Sequence, residues 1–191
     1  MRPSRVFRLI YRIFIFLLTL SVTVVSVLGL LSAVMILSNP NNIQLNPGEI
    51  EINFNPSPLN INFTLPFNLT NAGYFNLENL ELKIDLAMNY SHVDGGGPGV
   101  NETRILNIFN KSQYFGNIPH GATGHYNFTG LYSDFNFPLT FNFTTDIDWY
   151  RAPPADILFY ANFTVNLDYS IGLHSLTIGL INIYVGEFSL P

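Results

Sequence analysis

Eight asparagines of this 191-residue chain stand in the pattern Asn-x-Ser/Thr with x not proline: Asn62, Asn68, Asn89, Asn101, Asn110, Asn127, Asn142 and Asn162. That spacing is the acceptor signature of N-linked glycosylation, a modification of exported, surface-lying segments. From Ser38 onward there are 23 asparagines and 18 Ser or Thr residues in 154 positions, so random placement gives about 2.7 such triplets. Four of the eight are the same triplet, NFT, at Asn62, Asn127, Asn142 and Asn162. Repetition of an Asn/Phe/Thr-rich composition is therefore the competing explanation, and the position of each asparagine on its strand has to decide.

Other reactive side chains form no strong constellation. His120 and His125 flank GATG, where a turn lets both reach one metal, but no third ligand is near in sequence. Asp146/Asp148 and Glu49/Glu51 put paired carboxylates on one strand face, a weak cation site or a solvated edge. The loop SHVDGGGPGVNET (Ser91 to Thr103) is glycine-rich, yet it lacks the Lys-Ser/Thr ending and the following helix of a phosphate cradle. It reads as a loop tip. No serine sits in a nucleophile-elbow context, and the chain has no cysteine for thiol chemistry, thiolate metal sites or disulfides. The expectation is a non-enzymatic protein without metal or cofactor. Trp149, Tyr150 and Arg151 precede Ala152-Pro153-Pro154 and have the composition of a partner-binding loop. The preferred reading is that Trp149 continues the alternation of Ile147 and caps the core, which is compatible with a binding role for the loop.

The elements that carry these residues begin with an anchor. From Ile13 to Leu37 there are 25 consecutive residues without a charge, which as a helix extend roughly 37 Å against a hydrocarbon core of about 30 Å. Arg2, Arg5, Arg8 and Arg12 precede this run, and all thirteen acidic residues follow it. Basic flanks stay cytoplasmic, so residues 1–12 are expected inside and the remainder outside, across a plasma membrane. A cleaved secretory signal also starts with arginines, but its apolar region covers about 7 to 15 residues and ends at a small-x-small site. Val27-Leu28-Gly29 and Ile36-Leu37-Ser38 are poor sites of that kind. Retention of a transmembrane helix over 13–37 is the expectation. The exported part has four basic residues against thirteen acidic, a balance of −9 that repels nucleic acid.

Residues 38–48, SNPNNIQLNPG, read as a linker. Beyond them period-2 segments succeed one another through 49–191. In PLNINFTLPFNLTN (Pro58 to Asn71), Leu59, Ile61, Phe63, Leu65, Phe67 and Leu69 alternate with asparagine, threonine and proline. Glu49 to Asn55 and Leu80 to Tyr90 alternate likewise, and further strands are predicted at 104–109, 124–132, 139–148, 156–169 and 176–188. The last is apolar on both parities, which predicts a covered or central strand. About eight strands with turns between them and no helical period predict an antiparallel β-sandwich. Asn62, Asn68, Asn89, Asn127, Asn142 and Asn162 fall on the polar parity, where a glycan points into solvent.

The run NFTLPFNLTNAGYFNLENLELKIDLAMNY, the later YFGNIPHGATGHYNFTG and the closing strand pair resemble the late embryogenesis abundant group 2, or water stress and hypersensitive response (WHy), domain over most of Ile50 to Phe188. The resemblance rests on a strand ending in a turn at Asn71, a long second strand, and an Ile-Pro-x-Gly turn at Ile118 to Gly121. Asn71-Ala72-Gly73 stands where the family usually has Asn-Pro-Asn. The resemblance implies a fibronectin-III/immunoglobulin-like sandwich, often tethered by one amino-terminal membrane helix. It also implies a non-enzymatic role in stress protection or in interactions at membranes, with no catalytic residues to transfer.

Two functional classes follow. One is a membrane-anchored, glycosylated surface domain with a protective, scaffolding or partner-binding role, held to the lipid bilayer by its helix. The other is a subunit of an extracellular filament or lattice, self-associating through sheet edges after loss of the apolar segment. Absence of cysteine, many sequons and few lysines point to a prokaryotic, archaeal envelope.

Overall fold

The structure, a computed structural model, describes residues 3–45, 51–56, 59–92, 102–142, 145–148, 157–169 and 172–188. Helix α1 (Pro3–Ser38) opens on proline, whose missing N–H has no intrahelical partner at a first turn anyway. Four of its hydroxyls are satisfied internally: Thr19, Ser21, Thr23 and Ser32 each donate to the carbonyl four residues back at 2.9 Å. Nothing polar on those side chains then needs water. By length and composition the helix can cross a membrane within Phe7–Ser38, its most apolar 18-residue window having a mean hydropathy of 2.6. From Phe7 to Val24 its side chains are exposed. Beyond that a stripe at helical spacing is covered, with Gly29, Ser32, Ala33 and Ile36 buried.

The rest of the described chain is all-β. One sheet contains β1 (Ile43–Leu45), β2 (Glu51–Pro56), β3 (Leu59–Thr70) and β6 (Thr123–Gly130). β3 is its spine: β1 and β2 share one edge, through Leu45↔Phe67 and Glu51↔Thr64, and β6 lies on the other. The second sheet has the order β5-β4-β7-β8, formed by β4 (Leu77–His92), β5 (Glu102–Ile118), β7 (Ile157–Tyr169) and β8 (His174–Phe188). Every pairing is antiparallel. The two sheets pack as the expected antiparallel sandwich behind one amino-terminal helix.

Alternation makes this core. Ile61, Phe63, Leu65, Phe67 and Leu69 from β3 are buried, as are Leu80, Leu82, Ile84, Leu86, Met88 and Tyr90 from β4. Aromatic edges join the layers: Phe63 meets Phe109 at 5.0 Å and 72°, and Phe67 meets Phe115 at 5.0 Å and 81°. Such edge-to-face pairs add about 0.5–1.5 kcal/mol each beyond the area they bury.

Three expectations need correction. The described residues of 139–148 (139–142 and 145–148) form turns and one isolated bridge, His92↔Ile147, instead of a strand: Phe141 N–H bonds Pro138 O, Thr145 N–H bonds Asn142 O, and Asp146 Oδ2 accepts Asn142 N–H at 2.8 Å. A local carboxylate there outcompetes a ladder, while Phe141 tucks against Tyr90 at 5.4 Å. Among the described residues β8 is an edge strand, not a covered one. With β7 as its one sheet neighbour, it leaves Leu180, Ile181 and Tyr184 exposed at 39%, 77% and 49%. Finally, the stretch read as a linker contains a 3-10 turn (Pro40–Asn42) and strand β1.

The registers define two ends. Thr70↔Thr123, Leu77↔Ile118, Glu78↔Asp168 and Tyr169↔His174 gather at the end next to α1. Ser91↔Thr103 lies at the other, roughly 46 Å away along β4 at about 3.3 Å per residue.

Candidate functional site

The turn after β3 and the turn after β5 meet at the helix-proximal end and are tied by one side chain. Asn71 is completely buried. Its Nδ2 donates to Phe75 O at 2.8 Å and Ile118 O at 3.0 Å, and its Oδ1 accepts Gly73 N–H at 3.1 Å. Its backbone completes the knot, with N–H to Ala122 O at 2.9 Å and C=O from Gly121 N–H at 2.9 Å. Gly121 has φ +75°, a conformation that glycine adopts without strain. A buried amide satisfied this fully holds two loops in one arrangement.

That knot receives α1. Tyr74 N–H donates to Ser32 Oγ at 2.9 Å. Gly73 lies so close that a Cβ there would stand 2.8 Å from Ser32 Cβ. Ile36 is wholly buried and Ala33 nearly so; removing an isoleucine side chain from water is worth about 1.5–3 kcal/mol. Asn42 returns to the helix end, its Nδ2 donating to Met35 O at 3.1 Å and Ile36 O at 3.2 Å. Two carbonyls that the last helical turn leaves open are thereby satisfied. The helix is joined to the sandwich by packing and by hydrogen bonds from both flanks.

The histidines separate. His120 Nδ1–H donates to Gly73 O and His120 N–H to Asn76 Oδ1 at 3.0 Å, so this residue belongs to the joint. His125 Nδ1 bonds Asn68 Oδ1 at 2.7 Å on the outer face of the first sheet. Among the described residues no group of three His, Cys, Asp or Glu side chains is placed to hold a metal. Asp146 is engaged by Asn142 N–H, Asp148 N–H bonds Ser91 O, and Glu49 lies outside the described residues.

Asparagines line the outer surfaces. Asn62, Asn68 and Asn127 alternate with buried neighbours in the first sheet, and Asn89 and Asn162 do so in the second. Asn110 is exposed on β5, and Asn142 is exposed in a turn. Asn101, Trp149, Tyr150 and Arg151 lie outside the described residues, as do residues 93–101 of the glycine-rich loop. Asp85, Asn107, Phe109, Asn110, Asn136 and Asn162 line a cleft of about 320 Å³ that the sequence did not suggest. Residues far apart in the chain become neighbours there through the registers Asn110↔Asp85 and Asp85↔Asn162. The charged group, Asp85, accepts from Asn110 Nδ2 and pairs with Lys83 at 3.2 Å. Such a lining offers amide donors and acceptors.

A second polar strut crosses the sandwich. Lys111 Nζ approaches Asp134 Oδ2 at 2.7 Å, and the same oxygen accepts Leu131 N–H at 3.0 Å. The lysine hydrogen bond first, and the backbone one next, hold the Asp134 carboxyl below the usual carboxylate range.

Fold and joint together define a class: an antiparallel β-sandwich seated on a long apolar amino-terminal helix. No protein-family model matches the chain, and no curated protein does. Among solved structures, the crystal structure of Spo0M, a sporulation control protein from Bacillus subtilis, matches with TM-score 0.30 and 12% identity. The match covers 73% of this chain and 49% of that one, so the chain spans about half the length of that structure. Likeness at that level carries no functional argument.

Proposed function

We propose that this chain is a single-pass, membrane-anchored cell-surface sandwich with a non-enzymatic protective, scaffolding or partner-binding role, its amino terminus cytoplasmic and its β-domain outside. The observation that carries the reading is the joint. Cleavage near Leu37 removes Ala33 and Ile36 from the core and takes the Ser32 acceptor from Tyr74 N–H. A signal peptide is discarded and has no reason to be built into the fold. The four arginines before the span support the orientation. The family resemblance to group 2 late embryogenesis abundant domains supports the protective role.

Outward asparagines carry glycans in this reading and shield flat β surfaces from association. The mass of protein from its own host then exceeds the 21.5 kDa of the bare chain. Unmodified peptides covering Asn62, Asn127, Asn142 and Asn162 from that source would leave the asparagines as strand polarity alone.

The anchor is tested by carbonate extraction together with sequencing of the mature amino terminus. Retention in the membrane with residues 1–37 present supports it; a soluble product starting near Ser38 refutes it. One observation favours the assembly reading as a second: β8 is a 15-residue sheet edge with Leu180, Ile181 and Tyr184 exposed, a template for pairing with another chain.

A further inference from the structure

We infer that the helix-proximal end of the sandwich is itself a membrane-contacting surface, with Tyr74 and Leu173 seated in the interfacial layer of the outer leaflet. The inference rests on the anchored reading and adds to it a depth and two named contacts.

The argument starts from length. A hydrocarbon core of about 30 Å needs about 20 helical residues. Counted from Ile13, the first residue after Arg12, it reaches Ser32. Moving the span toward the amino terminus would draw Arg12 and then Arg8 into hydrocarbon, at about 2.5–3.5 kcal/mol for a charge carried to the helix centre. Yet the part of α1 that is both uncharged and wholly exposed runs only from Ile13 to Val24, about 18 Å. The bilayer therefore also surrounds the free sides of Val25 to Ser32, whose other side is covered. Ser32, at the outer boundary of that span, is the residue that holds Gly73 and Tyr74. The loop from Asn71 to Asn76 thus lies at the depth where hydrocarbon gives way to headgroups.

The side chains at that end suit the depth. Tyr74 is 50% exposed and Leu173, on the tip of the β7–β8 hairpin, is 60% exposed. An amphipathic ring is favoured at a bilayer interface. The loop tips at this end, Asn71–Asn76, Ile118–Thr123 and Ser170–His174, contain no Asp or Glu; the nearest carboxylates, Glu78 and Asp168, sit back on the strands in register with each other, and Asp168 Oδ2 accepts from Asn79 Nδ2. Loop tips without carboxylates meet headgroup phosphates without like-charge repulsion.

Because the chain has no cysteine, single labels are unambiguous. Tyr74→Cys, Leu173→Cys and, at the far end, Thr103→Cys are made in the full chain and coupled to an environment-sensitive fluorophore. Each is reconstituted in phosphatidylcholine vesicles containing a minority of phosphatidylglycerol. The expected result is blue-shifted emission at positions 74 and 173, quenching there by doxyl-labelled lipid, and iodide quenching several-fold weaker than at position 103. Vesicle flotation with all three labels equally open to iodide would overturn this inference and leave the anchor standing. Failure to float overturns both. Circular dichroism matching the unlabelled chain ties either outcome to the folded protein.

Discussion

Replacing Asn71 by alanine tests the joint most directly. The side chain makes three hydrogen bonds, to Phe75 O, Ile118 O and from Gly73 N–H, all at a position with no solvent exposure. A net hydrogen bond is worth about 1 kcal/mol, and a buried group left without a partner costs about 1–3 kcal/mol. Partial relaxation of the two carbonyls toward water lowers the total, so a loss of about 3 kcal/mol is expected. In a protein of 150–250 residues each 1 kcal/mol moves Tm by about 2–4 °C, which places the midpoint about 6–12 °C lower. The measurement is thermal unfolding of the full chain in detergent, followed by near-ultraviolet circular dichroism of its ten tyrosines and one tryptophan. These chromophores report tertiary packing and ignore the helicity of α1. Asn71→Asp serves as the companion, since it keeps the acceptor for Gly73 N–H and faces both carbonyls with oxygen instead of a donor. It should be at least as damaging as alanine. A midpoint for Asn71→Ala within 1 °C of the parent would refute the claim that this amide ties the turns together.

Gly73→Ala should loosen the helix from the sandwich, because the new Cβ meets Ser32 Cβ at 2.8 Å; increased proteolysis between Ser38 and Glu51 measures this, and Ser32→Gly in the same chain should relieve it. Asp134→Asn should cost no more than about 1 kcal/mol at neutral pH, since both partners of the pair keep some exposure and solvent screens them. The folded-state pKa of Asp134 is depressed, so its contribution is complete above the unfolded value and fades as pH falls through the folded one. Denaturant midpoints of parent and variant should therefore differ at pH 7 and converge below about pH 4.

The period-2 pattern was sufficient for β3 and β4, because a strand with one apolar face can be buried in one way only and a slip of one residue would expose the whole set. For the same reason the polar parity of Asn62, Asn68, Asn89, Asn127 and Asn162 was legible. The uncharged run from Ile13 to Leu37 likewise announced a helix able to cross a membrane, since length and hydropathy are local properties. Alternation failed where non-local partners decide. Residues 139–148 alternate well enough, yet a ladder needs a neighbouring strand, and among the described residues the segment makes only the bridge His92↔Ile147 while Asp146 accepts Asn142 N–H. β8 is apolar on both parities, but its place at an edge follows from the order β5-β4-β7-β8, which no single segment encodes. The cleft around Asp85 is assembled by register between three strands. The joint is the furthest from view: Ser32 is 42 residues from Tyr74, and a serine inside an apolar helix looks the same whether its oxygen serves the helix alone or also accepts from a distant turn. Composition and period determine which residues must leave water; only the closed chain determines which of them meet.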